Sequence, residues 1–284
     1  MVMNSKWDHL KTLLREMQSA VLAYSGGVDS SLLLRAASET LGSHLIAVTA
    51  VSETYPSLEL ASAEEFARSF GVTHRIIRTE ELVQEEFARN SPERCYFCKR
   101  ELFGKLKRIA DNEGLRFILD GSNIDDLKDH RPGRRAAKEF SVRSPLIEAG
   151  ISKAEVREIA RALHLSEWDK PSLACLSSRI PYGTRITPAI LHTIQIAEDH
   201  LRVLGFRQVR VRHHGETARI EIGRGDFGRL LSEEIAETIT RELKKLGFTY
   251  VCLDLEGYRT GSMNEAVNRL QNADFGLLHE KKLR

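Results

Sequence analysis

Residues Ala23–Ser31, "AYSGGVDSS", decide how this chain is read. They end the apolar run Ser19–Tyr24, "SAVLAY", which reads as a buried strand. They also open "VDSSLLLRAASETLG", an amphipathic helix with Gly42 as its stop signal. A strand that passes through two glycines into a helix start presents unpaired backbone N–H groups and the positive end of the helix dipole, which suits a phosphate. Gly26 and Gly27 allow left-handed dihedrals and close approach of a ligand to the backbone. Ser25 and Ser30 add hydroxyl donors, and Asp29, an acid inside a phosphate site, makes sense as a ligand of Mg²⁺ bridging the phosphates. A bare Ser-Gly-Gly would be ordinary strand–helix punctuation. The full SGGxDS points to nucleotide binding, and it matches neither the Walker pattern nor the dinucleotide fingerprint.

Outward from this loop, apolar runs alternate with amphipathic helices, as in a parallel sheet covered on both faces. "LIAVTAVS" and "THRIIRT" read as strands, with the helix "LELASAEEFARSFG" between them. The long helix "CYFCKRELFGKLKRIADNEG" precedes strand "RFILDGS", and Ser152 and Glu155 open the helix "SKAEVREIARALH" with capping-box spacing. The pattern then breaks. "SEWDKPSLACLSSRIPYGTRIT" is rich in Ser, Pro and Gly, and loops of such length are usually functional or disordered. A further helix opens at Thr187 and Pro188. Strands "FRQVRVRHH" and "ARIEIG", one helix "GRLLSEEIAETITRELKKLG" and strand "FTYVCLDLEG" follow. The expected layout is therefore a nucleotide-binding α/β domain over 1–165, a linker loop over 166–186 and a smaller α+β domain over 187–284, with the last dozen residues fraying.

The chain has 284 residues, 42% hydrophobic and 29% charged, which describes a globular protein with an ample core. No apolar run approaches the roughly 20 residues that span a bilayer, and a signal peptide's apolar stretch is missing, so a cytoplasmic protein is expected. Lys+Arg number 42 against Asp+Glu 40, and the densest basic run, "HRPGRRAAK", is short, which argues against a nucleic-acid partner. Four cysteines in such a length do not make a disulfide framework. Cys95 and Cys98 in "SPERCYFCKRELF" form a CxxC pair. From the residues alone it could be a redox disulfide, part of a zinc site, part of an iron–sulfur cluster or a chance pair. Cys252 alternates with apolar neighbours in "TYVCLDL" and reads as a core thiol. Arg210 and Arg212 in "VRVRHH" share one strand face and would either hold an anion or pair with Glu221 across the hairpin; His213 and His214 read as exposed strand histidines.

SGGVDS resembles the PP-loop of the ATP pyrophosphatases, adenine nucleotide alpha hydrolase-like enzymes that adenylate a substrate oxygen and release pyrophosphate. The resemblance implies that Ser25, Gly26, Gly27, Asp29 and Ser30 hold the β/γ-phosphates. It also places Thr49, Ala50 and Val51 by the adenine and Asp120 and Gly121 near the ribose and α-phosphate, and it gives Asp125 a part in placing Mg²⁺ or the substrate. "DGSNIDDLKDHRPGRRAAKE", "SSRIPYGTRIT", "VRVRHH" and "GYRTGSMN" occur in the same order in the LarE-type sulfur transferases, over nearly the whole length. That likeness implies adenylation of a carboxylate of pyridinium-3,5-biscarboxylate mononucleotide and replacement of oxygen by sulfur, in making the nickel-pincer nucleotide cofactor of lactate racemase. In one LarE type the sulfur comes from a protein cysteine. Cys175 lies one position nearer Arg179 than that residue, and Ala174 takes its place. In another type three cysteines bind a [4Fe–4S] cluster, a pattern that Cys95, Cys98 and Cys175 match. The resemblance further implies active-site parts for Cys175, Ser178, Arg179, Glu198 and Asp226, substrate-phosphate contacts from Arg210, Arg212 and Arg259, a hexamer, and possible sulfur-donor and cofactor-pathway partners. A tRNA thiolase and a non-catalytic ATP-binding regulator are the competing readings.

Overall fold

The computed structural model describes residues 2–55, 58–127, 132–171, 174–259 and 261–262. His130 and Arg131 of the basic run, and the C-terminal residues expected to fray, lie outside them. The chain divides into two compact units, Met1–Ala88 with Glu93–Ala174, and Arg89–Pro92 with Cys175–Arg284.

The first unit runs α1 (Val2–Met17), β1 (Ala20–Ala23), α2 (Val28–Leu41), β2 (Leu45–Val51), α3 (Leu58–Ser69), β3 (Thr73–Arg78), α4 (Glu85–Ala88), α5 (Arg94–Glu113), β4 (Phe117–Leu119), α6 (Gly133–Glu139), α7 (Pro145–Glu148) and α8 (Lys153–Ala162). Its four strands are all parallel, in the order β3-β2-β1-β4. Successive strand residues point to opposite faces, so each strand feeds two cores. Ala20 and Leu22 of β1 join Leu32, Leu33, Val156 and Ile159 in one cluster, while Val21 joins Phe103, Leu106 and Ile118 in the other. This double burial is why β1, β2 and β4 read as unbroken apolar runs, while edge strand β3, with Thr73, His74 and Arg75, has only exposed or half-buried residues. The strand order reverses direction beside β1, since β2 leads away on one side and β4 lies on the other. Ligands of open α/β sheets bind at the carboxyl edge of such a switch point. The capping box at Ser152 and Glu155 forms as expected. The parallel sheet with helices on both faces is thus present, and so is the extra α+β portion.

The second unit holds α9 (Pro188–Val203), β5 (Val209–His214), β6 (Thr217–Ile222), α10 (Phe227–Leu230), α11 (Glu233–Lys245) and β7 (Tyr250–Leu253). Its sheet has the order β5-β6-β7, with β5 and β6 antiparallel and β6 and β7 parallel. Two expectations are corrected here. The single helix over Gly228–Gly247 is two helices, because Ser232 adopts an extended backbone and its hydroxyl donates to the Arg229 carbonyl at 2.8 Å. Ser232-Glu233-Glu234 is a helix start that a smooth apolar period conceals. Cys252 is exposed rather than buried, because on edge strand β7 it is Val251 and Leu253 that turn toward the core. Among the described residues, no helix is long and apolar enough to cross a membrane.

Candidate active site

Gly26 takes φ +73°, a conformation that a residue with a Cβ adopts at a cost of roughly 1–2 kcal/mol. Gly27 is then the N-cap of α2 but has no side chain to satisfy the first turn's N–H groups, so these remain available to a ligand. The two loop serines close on each other, with Ser25 Oγ and Ser30 Oγ 3.1 Å apart, and the Ser30 hydroxyl donates to the Gly27 carbonyl at 3.0 Å. The strand before the loop is pinned from beneath. Thr49 donates to the Tyr24 carbonyl at 2.8 Å and lies 2.8 Å from His74 Nε2, while the Tyr55 hydroxyl donates to the Ser25 carbonyl at 3.1 Å. Thr49 is buried with its hydroxyl spent on these bonds, so within the set Thr49, Ala50 and Val51 only the latter two are partly exposed. Burial pushes the His74 pKa down despite the charge of Glu64, and it raises that of Tyr24.

Gly121 shows most directly how the sheet edge is shaped. A Cβ there would stand 3.0 Å from the Ser30 nitrogen and 3.1 Å from its Cα, so only glycine lets the strand-end segment lie against the start of α2. Asp120, beside it, is buried and accepts from the hydroxyls of Ser122 at 2.8 Å and Ser144 at 2.7 Å. Asp29 accepts from Asn123 Nδ2 at 3.1 Å and pairs with the ammonium of Lys153. Asp125 accepts the backbone N–H of Lys153 at 2.9 Å, next to the start of α8 where the dipole favours an acid. A second ammonium, Lys170, donates to the Gly26 carbonyl at 3.2 Å. Neither lysine stood out in the sequence. The signal was a lysine at the first position of a well-capped helix and another in "WDKP".

Cys95 and Cys98 are the second and fifth residues of α5, i and i+3, hence on neighbouring positions of one face. Cys95 is exposed and Cys98 half-buried, and none of the four cysteines is in a disulfide. The intervening Tyr96 is anchored to α6. Its hydroxyl donates to Glu139 at 3.0 Å, and Arg135, which pairs with Glu93 at 2.6 Å, stacks 3.9 Å over its ring. Thiolates are the usual protein ligands of zinc and of iron–sulfur clusters. Two ligands on a rigid turn therefore fit a metal centre, although among the described residues no three His, Cys, Asp or Glu side chains converge as one.

In the second unit, Cys175 is exposed and begins a one-turn 3₁₀ segment, Leu176–Arg179. The stretch that follows it is held by a residue far away in sequence. Asn90, fully buried at φ +56°, donates to the carbonyls of Pro181 at 2.8 Å and Thr184 at 3.0 Å, and its own carbonyl accepts from Gly183. Arg179 is 1% exposed. It donates to the Cys175 carbonyl at 2.9 Å and grips Glu198 with two bonds of 2.7 and 2.9 Å. Glu198, wholly buried, also takes Arg202 at 2.7 Å and the Val211 N–H at 3.1 Å. Burial by itself would raise the Glu198 pKa, but the charges of Arg179, Arg210 and Arg202 outweigh it and hold the carboxyl below its usual range. An isolated buried carboxylate would neutralise instead.

Arg212 donates to the Ser178 carbonyl at 3.1 Å, to Glu221 at 2.6 Å and to Ser262 at 3.0 Å, so most of its donors serve the fold. Arg210 differs. Burial, and then the like charge of Arg179, push its pKa down to about 10, and its guanidinium lies 5.3 Å over the Tyr258 ring. Among the described residues of this unit, three buried arginines (Arg179, Arg210, Arg212) face two buried glutamates (Glu198, Glu221). Arg259 is engaged by Asp254 at 3.4 Å and Glu256 at 2.8 Å, and half-buried Asp226 precedes α10 with Arg229 at 4.0 Å. Burial also lowers His213 and His214.

The asparagine synthase family profile matches residues 11–108, the stretch that contains the phosphate loop and the CxxC pair. Over 268 residues the chain is 42% identical to an uncharacterized protein of Synechocystis sp., covering 94% of this chain and all of that one. It is 38% identical over 267 residues to pyridinium-3,5-bisthiocarboxylic acid mononucleotide synthase of Lactiplantibacillus plantarum, covering 94% of this chain and 96% of the relative. An uncharacterized protein of Methanocaldococcus jannaschii is 33% identical over 266 residues, with 92% and 100% covered.

Proposed function

Because the chain belongs to the LarE family of PP-loop ATP pyrophosphatases, and is thereby an ATP-using enzyme, we propose that it is a sulfur transferase acting on pyridinium-3,5-biscarboxylate mononucleotide in nickel-pincer cofactor synthesis. The observation that carries this reading is the likeness to the Lactiplantibacillus synthase along almost the entire chain, second unit included. A substrate carboxylate oxygen attacks the α-phosphorus of ATP and pyrophosphate leaves. A sulfur nucleophile then adds to the activated acyl carbon and AMP departs with the bonding pair, giving the thiocarboxylate. The α2 N-terminus takes the pyrophosphate portion, and Asp29 would hold a Mg²⁺ ion that neutralises its charge. Ala50, Val51, Asp120, Gly121 and Asp125 shape the remainder of the nucleotide site.

The excess of buried cation in the second unit supports an anionic ligand. Arg210, whose charged state burial disfavours, gains most from a phosphate such as the substrate's 5′-phosphate. Arg212 and Arg259 are the weaker contributors, since both are engaged by carboxylates. Arg179 and Glu198 set the turn that bears Cys175 and Ser178, and Asp226 is an acid of the substrate pocket. The sulfur is proposed to come from a [4Fe–4S] cluster with Cys95, Cys98 and Cys175 as thiolates. Those three thiolates would hold the cluster, and the chemistry it would supply when bound is a sulfide for transfer. The enzyme is read as a cytoplasmic homo-oligomer, a hexamer by resemblance, with protein partners that reload sulfur.

Anaerobic purification with iron and acid-labile sulfide counted per chain, for the wild type and Cys95→Ala, tests this. About four of each, lost in the variant, is the expected result. An iron-free protein that completes one turnover and leaves Cys175 as dehydroalanine would replace the cluster with a consumed cysteine, a second reading that the exposure of Cys175 favours. Zinc instead of iron would make the CxxC structural.

A further inference from the structure

Both oxygens of Asp29 are already engaged, Oδ1 by Asn123 Nδ2 at 3.1 Å and Oδ2 by the Lys153 ammonium. An ammonium on the oxygen that takes a metal ion is repelled by it, because two cations a few ångströms apart repel. A metal ion at Oδ2 would therefore move Lys153. Its backbone cannot follow: the N–H is held by Asp125 at 2.9 Å, and the capping box of Ser152 and Glu155 fixes the start of α8. Only the flexible four-carbon stem swings, carrying an ammonium with three donors from a position one bond away from the phosphate loop. The incoming triphosphate is the concentrated anion within that reach, and the α2 start with Gly26 and Gly27 has no side-chain cation of its own.

We propose that Lys153 is a triphosphate ligand parked on Asp29: when nucleotide and metal enter, Asp29 exchanges the ammonium for the metal and Lys153 passes to the β/γ-phosphate oxygens. The exchange keeps Asp29 neutralised in both states, so no bare carboxylate confronts the phosphates at any stage. Lys170, whose ammonium rests on the Gly26 carbonyl at 3.2 Å, brings a second positive charge to the same loop. This role deepens the ATP reading and rests on it.

Binding of ATP and of AMP to the full chain, measured by calorimetric titration with Mg²⁺ present, separates the possibilities for wild type, Lys153→Met and Lys153→Arg. Lys153→Met should weaken ATP about tenfold or more while AMP, which lacks the β- and γ-phosphates, changes less than about twofold. Lys153→Arg should recover most of the ATP affinity by restoring the charge. Unchanged ATP binding in Lys153→Met would overturn the proposal, and so would equal losses for ATP and AMP, which mark a structural role. A wild type that binds AMP but shows no preference for ATP with Mg²⁺ would overturn the ATP reading, and the lysine's role with it. Retained AMP binding by each variant shows that it is folded.

Discussion

The phosphate loop and the Cys175–Arg179 turn are both short and both gather polar groups, but they do so by opposite means. The loop works through backbone: two glycines, a helix start, and a third glycine, Gly121, whose missing side chain lets a neighbouring segment lie against it. Its charges, Asp29 and Lys153, remain partly exposed. The turn works through buried side-chain charge, with Arg179 and Glu198 sealed from water and each dependent on the other. A backbone site can be built from few residues close in sequence. A buried charge network needs partners from several elements, because no single neighbour repays the desolvation of an ion.

If that contrast is right, the largest effect should follow from breaking the charge network. Glu198→Ala leaves Arg179 buried without its partner and should cost about 3–5 kcal/mol in denaturant unfolding. A loss below about 1 kcal/mol would mean that the pair behaves as an exposed one and the contrast fails. In the loop, Gly121→Ala should act on binding rather than on overall stability. Its Cβ would lie 3.0 Å from the Ser30 nitrogen, so the helix start must shift, and ATP affinity should drop about tenfold or more. Unchanged affinity in that variant would show that the segment yields without moving the α2 N-terminus.

The smallest effect is the response to acid, which both regions share at first and then should divide. His74 in one unit, and His213 and His214 in the other, have pKa values lowered mainly by burial. A group lowered on folding stabilises the fold above its unfolded pKa, here about 6.5, and that contribution is lost as pH falls through the lowered value. Stability should be flat above about pH 6.5 and decline below it, with His74→Gln removing part of the slope. Glu198 is likewise lowered, so its contribution persists down to about pH 4.3 and disappears only as pH falls further through the folded value. A second decline in that acid window, lost in Glu198→Gln, is the expected result, and a single decline would mean that the buried pair titrates as an exposed one.

The parallel sheet was legible because its strands are apolar on both faces and its helices carry strong caps, Ser152 with Glu155 and Thr187 with Pro188. The loop was legible because glycines, hydroxyls and an acid at fixed spacing have one common physical use. What escaped reading were groups whose partners lie far along the chain. Lys153 meets Asp29 across 124 positions, and Asn90 holds carbonyls more than 90 positions away. Alternation around Cys252 specifies that two faces differ and leaves open which one is covered; only the packing of Val251 and Leu253 settles that. The break at Ser232 is hidden because the apolar period continues through it.

The α/β class, the place of the phosphate loop and the family follow from residue order, since each rests on local spacing or on likeness along the chain. Which charges are buried, and with whom they pair, follows from the three-dimensional packing. It set Arg179 on Glu198, left Arg210 with a lowered pKa, and rested Lys153 on Asp29. The physical reason is that a charge's energy depends on its solvation and on its neighbours in space, and neither is a property of the residue's place in the chain.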